Sequence, residues 1–186
     1  MKANRSLVFI LIALILVSAL YRIIPGRPLG FFPQLSMALF AGAVIKDKKW
    51  AFAFPIFSLF ISDLIFHLLF LNGLVPYAGF YEGQITNYLL FGAMTVIGFF
   101  MKKISVGTVA GYSVIVAVVY FLLSNFFVWQ SGAGYARPKT FNGLLQCYVD
   151  GLPFFVNSLY ATLAFSALLF GGWALYRKNA HARLAV

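Results

Sequence analysis

Residues 50–71 read WAFAFPIFSLFISDLIFHLLFL, an apolar run whose only ionisable side chains are Asp63 and His67. A helix needs about 20 mostly apolar residues to cross the hydrocarbon core of a bilayer, so this stretch reads as a membrane span. Asp63 and His67 stand four apart and share one face of that helix. An ionisable group in hydrocarbon is costly and turns toward protein or a wet cavity. One segment thus implies both a membrane and an interior arranged around something polar.

The chain repeats the pattern on either side. Further apolar stretches run over about residues 6–24, 31–45, 86–101, 106–128 and 153–176. Of the six, the second and fourth are short, which points to little tilt or to burial among neighbours. Hydrophobic residues make up 62% of the 186 and charged ones 10%, and the mean hydropathy is +0.92. A soluble domain is nearer half apolar and about a quarter charged. The expectation is an all-α integral membrane protein, a six-transmembrane-helix bundle forming a single domain over residues 1–186. A short interfacial helix is expected at about 140–150, with Thr140 as its N-cap.

The net charge of +10 raises the question of nucleic acid. The basic residues sit in short clusters between apolar runs, without the interleaved basic face that nucleic acid requires. They mark topology instead, because cytoplasmic loops are enriched in Lys and Arg. Placing the N-terminus inside gathers Lys2, Arg5, Lys46, Lys48, Lys49, Lys102, Lys103, Arg177, Lys178 and Arg183 on one side. The other side keeps Arg22, Arg27, Arg137 and Lys139. Both termini are then cytoplasmic. Lys2, Arg5 and Val17-Ser18-Ala19 also have the look of a secretory signal, but the apolar run continues to Ile24, which favours an uncleaved first helix.

With that orientation, depth follows at 1.5 Å per residue. Asp63 lies past the middle of the third span and His67 one turn further out. Gln34 and Ser36, Asn87, Asn125, Trp129 and Asn157 all fall near outer helix ends. The inner halves carry Ala, Gly, Leu and Phe, as in Ala38-Leu39-Phe40-Ala41-Gly42. Polar groups collected in one half of a bundle predict a cavity open to the outside and closed toward the cytoplasm. Outer loops with Tyr77, Phe80, Tyr81 and Glu82, and with Tyr135, Arg137, Tyr148 and Asp150, suit a lid over a flat, partly apolar ligand.

Each candidate has two readings. Asp63 and His67 form a ligand contact or proton relay, or else a buried pair bracing the bundle. A metal site is disfavoured because no second His or carboxylate stands at ligand spacing. Asn87, Asn125 and Asn157 contact substrate or bond neighbouring helices. Arg137, in a loop shaped by Gly132, Gly134 and Pro138, holds a carboxylate or phosphate, or anchors the interface. Trp129, Tyr81 and Tyr148 stack on a ligand or belong to the aromatic belt. Cys147, the single cysteine, is a small packed residue or a soft ligand to a cofactor metal. No metalloprotease, nucleophile-elbow or phosphate-loop motif occurs, and no enzyme is expected.

Two regions carry a family resemblance. Pro25 through Asp63 holds a proline-marked loop, Leu39-Phe40-Ala41-Gly42, a basic loop, Pro55 and Ser62-Asp63; Gly151-Leu152-Pro153-Phe154-Phe155-Val156-Asn157 opens the sixth span. This arrangement resembles the S-components of energy-coupling-factor vitamin transporters. It also looks like a related bacterial membrane family sharing the segments from Ser124-Asn125 to Trp129 and from Cys147 to Asn157. The resemblance implies a substrate-capture subunit for a micronutrient in the bacterial cytoplasmic membrane. Its binding residues map onto Phe32, Tyr81, Asn87, Asn125, Trp129, Arg137 and Asn157. The implied partners are a vitamin-like small molecule, the bilayer and an energy-coupling-factor transmembrane subunit with its ATPases. The Ala-x-x-x-Ala used for docking on that subunit is missing, since Ala13 and Ala19 are six apart, so a solitary transporter is the alternative. Some solitary relatives handle cobalamin through a cysteine ligand to cobalt, which makes Cys147 a candidate for that role. No cofactor of the protein's own is implied. The competing expectations are a structural or assembly protein without a small ligand, and a membrane enzyme using Asp63 and His67.

Overall fold

The computed structural model describes residues 28–184 and, before them, Leu16, Leu20, Tyr21, Ile24 and Gly26, with side chains through Lys178. The span expected at 6–24, which includes Arg22, falls almost wholly outside the described residues, and so does Arg27 after it. The regular structure among those residues is all helical: α1 (Gln34–Val44), α2 (Lys48–Leu71), α3 (Gln84–Phe99), α4 (Val106–Ser131) and α5 (Phe141–Leu184).

Local chemistry sets the helix ends. The Asp47 carboxylate caps α2 by accepting the Lys49 N–H at 2.9 Å. Ser105 and Thr108 form a reciprocal capping box at the start of α4. That helix stops at Gly132, whose φ of 78° only glycine adopts cheaply. Thr140 caps α5 as expected, its hydroxyl oxygen accepting the Gly143 N–H at 3.1 Å.

One expectation changes. The interfacial helix expected at 140–150 and the span expected at 153–176 are one continuous helix of 44 residues. At 1.5 Å per residue α5 is about 66 Å long, roughly twice the hydrocarbon thickness. Packing carries it through Pro153, because Gly151 sits directly against the Asn125 side chain and keeps α5 on α4. The second and fourth expected spans are short in the structure as well. Helices α2, α4 and α5 are long and apolar enough to cross a membrane, whereas α1 and α3 are apolar but shorter. With 11 residues, α1 reaches only about 16 Å.

Burial resolves what that short length means. Every residue from Gln34 to Gly42 is buried, and α1 packs against α2, α3, α4 and α5 alike. It is the axis of the bundle. On one side Leu39, Phe40, Phe54, Met101 and Phe170 form an apolar cluster; further along, Leu35, Leu59, Phe91, Met94 and Val116 form a second. The Ser36 hydroxyl ties the axis to α5 by donating to the Thr162 carbonyl at 3.0 Å. Large apolar side chains also cover the outside, among them Leu71, Ile85, Leu89, Val106 and Leu168. That surface suits lipid rather than water.

The helices alternate in direction, which sorts the loops. Lys46, Lys48 and Lys49 at the start of α2, Lys102 and Lys103 after α3, and Arg177 and Lys178 late in α5 share one end. The Lys48 ammonium lies 5.7 Å from the Phe99 ring centre, joining two of these segments. At the opposite end stand the polar residues examined next.

The α1 and α3 backbones approach each other closely at Gly42 and Gly98. A Cβ on Gly98 would meet the Leu39 carbonyl oxygen at 2.5 Å and Gly42 Cα at 2.9 Å. Both obstacles are backbone and cannot rotate away. Gly98→Ala is expected to destabilise the protein by about 1–3 kcal/mol through overpacking. Gly111→Ala on α4, where an added Cβ meets open space, should be neutral or stabilising by up to about 1 kcal/mol. Thermal unfolding of both variants in mild detergent separates the two effects.

Candidate functional site

At the polar end α1 begins with a buried residue, Gln34. The segment before it packs on α5 at Gly30, whose φ is +83° and where a Cβ would lie 2.5 Å from the Phe154 carbonyl oxygen. Two neighbouring cavities border this segment. The first, of about 210 Å³, is lined by residues of α4 and α5, including Phe121, Ser124, Asn125, Phe155 and Ser158. The second, of about 170 Å³, is lined by Gln34, Leu59, Asn87 and Phe91 with Leu29. Gly30, Phe32 and Tyr120 belong to both.

Aromatic rings make the shared wall. Phe91 and Tyr120 stack at 5.1 Å between centres. Phe32 meets them edge-on at 6.0 and 6.2 Å. The Tyr120 hydroxyl donates to Asn87 Oδ1 at 2.8 Å, and Asn87 Nδ2 donates to the Tyr81 hydroxyl at 3.0 Å. Asn87 is thus held from two sides.

Gln34 is different. It is 2% exposed, and among the described residues neither polar atom of its amide has a hydrogen-bond partner. The Ser158 hydroxyl in the first cavity also lacks one. A buried amide without partners costs about 1–3 kcal/mol. Natural interiors rarely leave such groups, so each one calls for a reason. The α1 N-terminus beside it has no side-chain cap, which adds the partial positive charge of a helix start.

The residues singled out from sequence divide into three groups. Phe32, Asn87 and Asn125 line the cavities. Tyr81 and Asn157 touch the rim: Tyr81 through Asn87, Asn157 by donating to the Leu29 carbonyl at 2.9 Å. The others lie elsewhere.

Asp63 is 1% exposed and lines neither cavity. Its carboxylate accepts a hydrogen bond from the Gln84 amide and another from the Tyr88 hydroxyl at 2.7 Å. Gln84 also donates to the Gly79 carbonyl at 3.4 Å. Gly79 itself is pressed onto the α2 backbone, where a Cβ would meet the Asp63 carbonyl oxygen and, at 2.5 Å, the His67 nitrogen. Asp63 therefore ties the connection between α2 and α3 to both helices. His67 rests against the Phe80 ring at 5.1 Å, and its Nδ1 is buried without a hydrogen-bond partner.

The remaining candidates form an outer cluster. Arg137 grips Asp150 through two bonds of 2.8 and 2.9 Å, and lies over the Tyr135 ring at 5.5 Å. The bond to Asp150 raises the guanidinium above its ordinary value. The carboxylate partner that the sequence left open is thus one of the chain's own. Trp129 donates to the Pro138 carbonyl at 2.8 Å, with the Lys139 ammonium over its ring. Tyr148 donates to the Leu122 carbonyl at 3.2 Å, and the Cys147 thiol to the Asn125 carbonyl at 3.5 Å. Among the described residues no group of three or more His, Cys, Asp or Glu side chains could hold a metal ion.

Sequence reading did not choose Gln34, Phe91, Tyr120 or Ser158 as site residues. Phe91 and Tyr120 counted toward apolar spans. Gln34 carried the one available signal, an amide at the start of a short apolar helix.

The fold and cavities define an all-helical membrane protein with an aromatic, uncharged pair of cavities at one end. The chain belongs to the family of unknown function DUF6580, whose profile matches residues 2–184. No curated protein and no solved structure matches it.

Removing the Gln34 amide without changing volume should relieve its desolvation cost. Gln34→Met is expected to stabilise the ligand-free protein by about 1–2 kcal/mol. Asp63→Ala should do the reverse, costing about 2–4 kcal/mol because two buried donors lose their acceptor. Thermal midpoints of the two variants in one detergent check both signs.

Proposed function

We propose that this chain is the substrate-binding membrane subunit of an uptake system for a small micronutrient. The observation that carries the reading is that Gln34, whose buried amide has no partner among the described residues, lines an aromatic cavity. A structural brace would be satisfied within the bundle, as Asp63 is. A receptor keeps its bonding groups for the ligand. The resemblance to energy-coupling-factor S-components supports the same conclusion. So does the packing of Asn125 against Gly151, which brings together the two segments shared with the related bacterial family.

Size refines the substrate. A cavity of about 150 Å³ holds benzene, so volumes of about 210 and 170 Å³ favour a one- or two-ring molecule over a corrinoid. Cys147 lines neither cavity, and its thiol donates to the Asn125 carbonyl at 3.5 Å. In this reading the first helix completes six spans, both termini are cytoplasmic, and the polar end faces outward from the bacterial inner membrane. The basic residues gathered at the other end support that orientation. The missing Ala-x-x-x-Ala favours action without the shared coupling subunit.

Thermal unfolding of the full chain against a panel of vitamins and precursors is the direct test. A ligand at about 100 times its dissociation constant adds roughly 2.7 kcal/mol to the folded state. A raised midpoint for one small-ring compound is expected, and silence across the panel from folded protein would instead favour a scaffold. Orientation is checked in intact cells carrying Cys147→Ser with either Glu82→Cys or Lys103→Cys. A membrane-impermeant thiol reagent should label the Glu82→Cys protein directly, and the Lys103→Cys protein only after permeabilisation.

A further inference from the structure

We infer that the occupant of the cavity beside α1 is an uncharged flat heterocycle that presents a hydrogen-bond donor and acceptor side by side, as a lactam does, and that Gln34 reads this edge. The inference rests on the proposed small-molecule binding and deepens it. A primary amide offers one donor and one acceptor at fixed spacing in one plane. A group with the same pair in reverse satisfies both at once through two nearly straight hydrogen bonds. A single water or hydroxyl can bridge the pair only through bent, weaker ones.

Three further observations narrow the class. The wall facing Gln34 is made of Phe32, Phe91 and Tyr120, and rings favour a planar partner through stacked or edge-on contact. Among the described residues no charged side chain lines either cavity, so an ionised ligand would be buried without a counter-charge. The uncapped start of α1 adds a positive potential next to Gln34, which favours a ligand carbonyl there. The polar groups of Asn87 are already engaged by Tyr120 and Tyr81. Reading the ligand's edge in this cavity thus falls to Gln34.

The test uses two small probes, 2-pyridone and N-methyl-2-pyridone, which share ring and carbonyl but differ in the N–H donor. Dissociation constants come from ligand-observed NMR titration of the full chain in mild detergent, with the vitamin panel run on the same preparation. Wild-type protein should bind 2-pyridone about tenfold more tightly, the worth of one satisfied buried hydrogen bond. Gln34→Met should abolish that preference while still binding N-methyl-2-pyridone. Gln34→Leu serves the same purpose should the first variant fold poorly. Equal binding of the two probes to wild type, or a preference that survives in the variants, overturns the lactam edge and leaves small-molecule binding standing. So does a panel vitamin that binds while both probes fail. Failure of every compound overturns both readings together.

Discussion

An 11-residue helix buried on every side is the constraint from which the rest of the bundle follows. A helix that short cannot cross the bilayer alone, so its ends must be closed by other parts of the chain. At the basic end closure is tight. Gly42 and Gly98 bring the α1 and α3 backbones into contact, and Phe40, Phe54 and Phe170 fill what remains. At the other end the segment around Gly30 packs on Phe154, and the pair of cavities borders it. Their position follows from where α1 begins.

Polar groups in such a bundle must be used or satisfied, because hydrocarbon offers them nothing. Asp63, Gln84 and Tyr88 satisfy one another and pin the connection between α2 and α3. Asn157 and Tyr148 each find a backbone carbonyl, and Arg137 finds Asp150. Thr95, Ser113 and Thr162, buried on α3, α4 and α5, bond back to the preceding turn. Gln34 belongs to a smaller set, with Ser62, His67, Ser158 and Ser166, whose buried polar atoms have no hydrogen-bond partner among the described residues.

Much of the helix layout was legible because apolar length is a strong signal. The segments at 50–71 and 106–128 reappear as α2 and α4 with ends shifted by two or three residues. The merging of 140–150 with 153–176 was not legible, because Gly151 and Pro153 read as a break until Asn125 is seen packing on the glycine. Side-chain roles were harder for the same reason: they depend on neighbours far away in sequence. Asp63 and His67 share a helix face, yet the carboxylate is claimed by Gln84 and Tyr88, 21 and 25 residues further on. Arg137 and Asp150 both lay in view as loop charges, without a sign that they would take each other.

The position of the hidden residues explains why they escaped notice. Tyr120 and Phe91 are apolar by composition and polar or planar only in use, so hydropathy absorbs them into spans. Gln34 was noticed as an outer polar residue but had no partner in the sequence to argue with. Its significance is negative, the lack of a bond, and a missing bond is visible only once every neighbour is placed. Asp63 shows the converse, since the most expensive residue in the sequence is the best satisfied in the fold. In a membrane bundle the cost of a polar residue therefore says that it has a task. The three-dimensional inventory of its bonds separates bracing from binding.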